Sequence, residues 1–148
     1  MAEQEAVAAA GRAIIKVEGG ETAEATTLVA APPARGPGLA LSAPISFWGG
    51  VDPKTARIAD VRHPQHGLSI SGTVLMLPGT IGSSSASAVL LELVHKGIAP
   101  AAIILHEPDA ILLLGLLVAR EMGWSHPPAF RLDRQLFASF DSRMVSAG

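Results

Sequence analysis

The sequence predicts an α/β domain: a small barrel-like set of short strands, followed by a strand–helix–strand–helix–strand run. Between Gly11 and Ser71, short apolar or alternating stretches are divided by glycine- and proline-rich turns, the rhythm of compact β structure. After Thr73 the rhythm changes. Two continuous apolar runs, Val74–Leu77 and Ala101–Leu105, are each followed by apolar residues at helical spacing. Continuous runs belong to strands covered on both faces, so this half reads as parallel strands joined by right-handed crossover helices.

Met1–Ala10 is Ala/Glu-rich and is expected to fray or to form a short helical turn. Gly11–Gly20 reads as a strand closed by a glycine turn, and Ala25–Val29 as a second strand. Pro32–Gly38 is so rich in chain breakers that it reads as a turn or linker bounding a small extension. Leu39–Ser42, Ile45–Trp48 and Thr55–Asp60 are further short strands. Trp48–Pro53 and Arg62–Gly67 are the polar loops between them.

A helix over Ser84–Lys96 follows, stopped by Gly97 as a left-handed cap. Ala101–Leu105 is a buried strand, and Asp109 caps a very apolar helix over Ala110–Met122 that ends at Gly123. Pro127–Phe130 starts a last extended piece, and Gln135–Gly148 reads as a loosely held tail. The expected organisation is an extension over 1–38, a main domain over 39–132 and a tail over 133–148.

The chain has 148 residues, of which 49% are hydrophobic and 16% charged, with a net charge of −2. That is enough for one domain with a sizeable core, and too apolar for disorder. No clustered Lys and Arg mark a nucleic-acid surface. The run Ala110–Ala119 is too short to cross a bilayer, and the acidic start Met1–Glu5 lacks the basic opening of a signal peptide. A cytoplasmic protein is expected. So little charge on a small domain also suggests a surface hidden against a second chain. With no cysteine, this chain supplies neither disulfides nor Cys ligands for zinc or iron–sulfur clusters. His63 and His66 are closely spaced, but they sit in a proline-broken segment that reads as a solvated loop before it reads as a metal site.

The chemistry centres on Pro78-Gly79-Thr80-Ile81-Gly82-Ser83-Ser84-Ser85. Gly79 and Gly82 free the backbone and leave room for something to approach it. Ser83 or Ser84 is a natural N-cap, and a hydroxyl there sits among unpaired N–H groups at the positive end of a helix dipole. Such a loop is an anion cradle, a place where a serine loses its proton more easily than in water, or simply a capped helix start. In parallel units ligands bind beyond the carboxyl ends of strands, where this loop lies.

A hydrolase elbow needs Gly-X-Ser-X-Gly, and Gly82-Ser83-Ser84-Ser85-Ala86 lacks the second glycine. A Walker loop needs a lysine that is missing here. A serine alkoxide requires stabilisation by N–H groups, a dipole or a cation, for which Arg57, Arg62 and His63 are the candidates in the polar loops. A dehydration also needs help for the leaving hydroxyl, which this chain does not supply; as an enzyme it is half of one. Trp48 reads first as a core residue, and Gly49, Gly50 and Asp52 as an ordinary turn. His106 and Glu107 read as a cap or surface pair, and Leu112, Leu113, Leu116 and Leu117 as core or interface.

In combination, Ser46–Asp52, Arg62–Gly67, Pro78–Ser85 and Ala101–Asp109 resemble the small-subunit, swivelling-domain part of the aconitase X family. The resemblance runs from about Leu39 to Phe130. It implies a swivelling β/β/α domain like the mobile fourth domain of aconitase. It implies a large-subunit partner in a heterodimer or higher assembly, holding an iron or iron–sulfur centre, with no metal bound by this chain. It implies a hydro-lyase (dehydratase), acting on cis-3-hydroxy-L-proline in hydroxyproline metabolism or on mevalonate 5-phosphate. The general bacterial look of the chain favours cis-3-hydroxy-L-proline, dehydrated to Δ1-pyrroline-2-carboxylate. Carried over, the base is Ser83. The substrate-binding set is Gly79, Gly82, Ser84, Ser85, Trp48, Gly49, Gly50, Asp52, Arg62 and His63. The aconitase loop continues with an arginine where this chain has Ala86, so the cation comes from elsewhere, such as the large subunit. The contrasting possibility is a non-catalytic anion-binding or regulatory module.

Overall fold

The computed structural model describes residues 11–148; the expected fraying of Met1–Ala10 lies outside them. Seven strands close into a barrel in the order β1-β2-β6-β5-β4-β3-β7. These are β1 (Arg12–Val17), β2 (Thr22–Val29), β3 (Ala34–Ala40), β4 (Val74–Leu77), β5 (Ala102–Leu105), β6 (Ala129–Arg131) and β7 (Met144–Ala147). Helix α1 (Ala86–His95) links β4 to β5, and α2 (Ala110–Glu121) links β5 to β6. Strands β3, β4, β5 and β6 run parallel, in the expected crossover arrangement. The β1–β2, β2–β6, β3–β7 and β1–β7 pairs are antiparallel.

The continuous apolar runs serve two cores at once. Val74 and Met76 of β4, with Ala102 and Ile104 of β5, point into the barrel beside Ile15, Phe130 and Phe140. Leu75 and Leu77, with Ile103 and Leu105, point outward under α1 and α2. Alternation is therefore hidden: both faces of each strand are apolar because both are covered. The helices cross closely, since a Cβ on Gly115 of α2 would lie 2.6 Å from the Ser87 carbonyl oxygen of α1. Gly97 and Gly123 end the helices with φ of +72° and +76°, as the cap reading requires. No helix among the described residues is long and apolar enough to cross a membrane.

Three expectations give way. Pro32–Gly38 is not a linker, because β3 runs through it. Its glycines mark close backbone passage: a Cβ would stand 2.2 Å from the Gly72 carbonyl oxygen at Gly36, and 2.0 Å from that of Phe140 at Gly38. The C-terminal segment is not a loose tail. A 3-10 helix at Arg134–Ser139 places Phe137 in the barrel core, Phe140 follows it there, and β7 closes the wall between β1 and β3. Residues on both sides of positions 38 and 132 thus share one barrel, and neither position divides the structure. Finally, the expected strands at Ile45–Trp48 and Thr55–Asp60 are irregular, held by single bridges such as Val51–Ile58 and Arg57–Ser69.

Candidate functional site

The chain leaves β4 at Leu77, and Pro78 and Gly79 are still buried. The loop then leans on a neighbouring segment: Thr80 bridges Ile45, and the Ile81 N–H donates to the Ile45 carbonyl at 3.0 Å. The Thr80 hydroxyl reaches the other way and donates to Asp109 Oδ2 at 2.6 Å. Beyond this anchored part, Ile81 and Gly82 are exposed. The N–H groups of Gly82, Ser83 and Ser84 find no acceptor among the described residues. Ser83 is half-buried, and its Oγ accepts from the Ser85 N–H at 3.2 Å.

The helix start differs from expectation. The N-cap is Ser85, not Ser83 or Ser84, and its side chain makes no capping bond. Ser85 is already helical, with φ −82° and ψ −9°, rather than in the extended conformation of a capping residue. Gly79 and Gly82 do not use a left-handed conformation. What Gly82 provides is space: a Cβ there would meet nothing within 4 Å. The loop therefore presents the Ser83 and Ser84 hydroxyls and a run of unpaired amides on an accessible rim above the N-terminus of a ten-residue helix. That is an environment that stabilises negative charge.

The remaining sequence candidates fall in three places. Trp48, Gly49 and Asp52 line a cavity of about 410 Å³ that also touches Val89 of α1. Trp48 is not a core residue; it is 61% exposed. Gly49 has a φ of +80°, which only glycine tolerates easily, and Gly50 is packed against Ile45. Asp52 Oδ1 accepts the Lys54 N–H at 2.8 Å, the ordinary turn reading. Arg62 is exposed, and Arg57 donates to the Gly67 carbonyl at 2.8 Å.

His63 corrects two readings, as part of a solvated loop and as a substrate-facing group. It is 6% exposed. Its Nε2 lies 3.0 Å from the Ala43 carbonyl, and its Nδ1 accepts the Gln65 N–H at 3.0 Å. Both ring nitrogens are spent on holding the loop.

Two further groups stand at this end of the sheet: His106, which the sequence reads as a cap or surface residue, and Arg131, which sequence reasoning passed over. His106 follows β5, and its Nδ1 accepts the Arg134 N–H at 3.0 Å. Arg131 ends β6, and its Nε donates to the His106 carbonyl at 3.0 Å. The available signal was position: each stands at or just past the carboxyl end of a parallel strand. A separate cavity of about 510 Å³, between Pro33, Val94 and Trp124, lies at the opposite, amino end of these strands.

Residues 22–146 match the family model of the aconitase X swivel domain. The chain belongs to the aconitase X swivel-domain family. A cis-3-hydroxy-L-proline dehydratase of Pseudomonas aeruginosa is 54% identical over 86 residues, covering 57% of this chain and 15% of that protein. A phosphomevalonate dehydratase small subunit of Methanothermobacter thermautotrophicus is 46% identical over 85 residues, covering 57% of this chain and 65% of that one. The chain thus spans less than two thirds of the length of either relative. Among solved structures, the holo form of aconitase X from Thermococcus kodakaraensis superposes with a TM-score of 0.64 at 26% identity, covering 82% of this chain and 94% of that chain.

The iron or iron–sulfur centre implied by the family resemblance does not fit the residues of this chain. There is no cysteine. Among the described residues no three of His, Asp and Glu gather where a metal could be held. Of the two carboxylates beside the loop, Asp109 is committed, accepting two amides of α2 with one oxygen and Thr80 with the other, and Glu107 stands alone and exposed.

Proposed function

We propose that this chain is the small subunit of a heteromeric hydro-lyase of the aconitase X family, with Ser83 as the proton-abstracting base. The observation that supports this is the half-buried Ser83 hydroxyl among the free amides of Gly82–Ser84, above the N-terminus of α1. A serine acts as a base only where its alkoxide is stabilised, and unpaired amides with a helix dipole do that without rearranging. The rim is open, so a larger companion chain completes the site, carries the iron or iron–sulfur centre and supplies most substrate contacts. Ser84, with the Trp48–Asp52 turn, borders the same face.

The reaction proposed is loss of water from cis-3-hydroxy-L-proline to give Δ1-pyrroline-2-carboxylate. Ser83 takes the proton from the carbon that carries the carboxylate and the hydroxyl leaves from the neighbouring C3, giving the ring enamine; a proton shift from nitrogen to C3 then yields the Δ1 imine. The higher identity to the hydroxyproline enzyme supports this substrate, and the match to a phosphomevalonate dehydratase small subunit keeps mevalonate 5-phosphate as the alternative. The test is reconstitution with a large subunit of the family. Ser83→Ala should abolish turnover while the two chains still assemble. A near-wild-type rate in that variant would reject the assignment, and comparing the two substrates in the wild-type complex decides between them.

A further inference from the structure

Of the eleven lysines and arginines in the chain, only Arg131 is not exposed. It ends β6 in register with Leu105, so it projects from the same face as the outward side chains under α2. Its Nε is used by the His106 carbonyl, which leaves the two terminal amino groups of the guanidinium free to donate. None of the ion pairs among the described residues includes Arg131. Arg131 is only partly exposed, and a guanidinium without a counter-charge of its own presents a planar fork that matches an arriving carboxylate or phosphate.

His106 adds a second donor. Because its Nδ1 accepts an amide proton from Arg134, the neutral ring carries its own proton on Nε2. That nitrogen has no acceptor among the described residues. Arg131 and His106 therefore form a corner of unspent donors at the carboxyl ends of β5 and β6. The loop of Ser83 leaves β4, two strands away, or roughly 10 Å across the sheet. The Thr80–Asp109 bond ties that loop to the segment that follows His106.

We infer that Arg131, aided by His106 Nε2–H, grips the anionic group of an organic-acid substrate, a carboxylate or a phosphate, while the Ser83 loop faces the reacting carbon. The inference rests on the hydro-lyase reading for its substrate, but the donor corner is testable without it. In the full chain alone, NMR titration with inorganic phosphate and with acetate should move the Arg131 Nε–H and His106 ring signals in a saturable way. The response should vanish in Arg131→Gln and weaken in Arg131→Lys, which keeps the charge and controls for folding. Signals that stay still, or that move equally in Arg131→Gln, overturn the inference.

In the reconstituted complex, Arg131→Gln should raise KM by at least about tenfold with a smaller loss in kcat, the opposite of Ser83→Ala. A rise for mevalonate 5-phosphate alone assigns the corner to phosphate, and a rise for both substrates assigns it to carboxylate. Unchanged KM for both overturns it. A wild-type complex that turns over neither substrate counts against the hydro-lyase reading, and the titration then decides the donor corner by itself.

Discussion

The Thr80 hydroxyl donates to Asp109 Oδ2 at 2.6 Å, across two loops that follow adjacent parallel strands. The other oxygen of Asp109 accepts the N–H groups of Ile111 and Leu112 and so caps α2. One carboxylate therefore fixes both a helix start and the base of the serine loop. Asp109→Ala should lower stability by about 1–2 kcal/mol, as losing a cap does, and should also reduce turnover. Thr80→Val keeps the cap and the side-chain shape, so it should cost about 1 kcal/mol. Denaturant unfolding of the two single variants and the double variant would measure the coupling. Strict additivity would mean that the bond contributes nothing.

Gly38 and Gly19 should respond very differently to alanine. At Gly38 the added carbon meets the Phe140 carbonyl oxygen at 2.0 Å, so the barrel wall must open there. A loss of about 3 kcal/mol is expected. At Gly19 nothing lies within 4 Å, and the only cost is the left-handed φ of +74°, about 1 kcal/mol. Thermal melts of the two variants give the comparison.

Removing residues 133–148 should unfold the domain rather than trim it. The deletion takes Phe137, Phe140, Val145 and Ala147 out of the barrel core and leaves β1 and β3 without the strand between them. Circular dichroism and the elution volume of the truncated chain check this. A folded, monomeric product would contradict the barrel closure.

His63→Ala should act on stability and not on substrate affinity. It strips partners from the Ala43 carbonyl and the Gln65 N–H in a buried place, at a cost of roughly 1–3 kcal/mol. KM in the reconstituted complex should stay near its wild-type value. A large rise in KM without loss of melting temperature would return His63 to the substrate.

The parallel half was legible because its signals are local. Val74–Leu77 and Ala101–Leu105 are continuous apolar runs, and Asp109, Gly97 and Gly123 are helix punctuation that acts within a turn. The antiparallel half was harder, because what decides it is distant in sequence. Gly36 and Gly38 look like breakers until Gly72 and Phe140 are seen to pass beside them. The C-terminal strand shows only four residues, and its reason to form is a gap between β1 and β3 that no local pattern reveals. At the candidate site the serine loop announced itself through glycine and serine spacing. Arg131 did not: an arginine after an apolar pair carries no chemical signature until the strand order brings it beside His106.

Barrel closure also limits how another protein can hold this domain. Every named strand has a hydrogen-bonded neighbour on both sides, from β1 against β2 to β7 against β3 and β1. There is no bare strand margin in the barrel onto which a foreign strand could be added. A companion must grip side chains and the loops at the barrel mouth. Such a hold can be released and re-formed without tearing main-chain bonds.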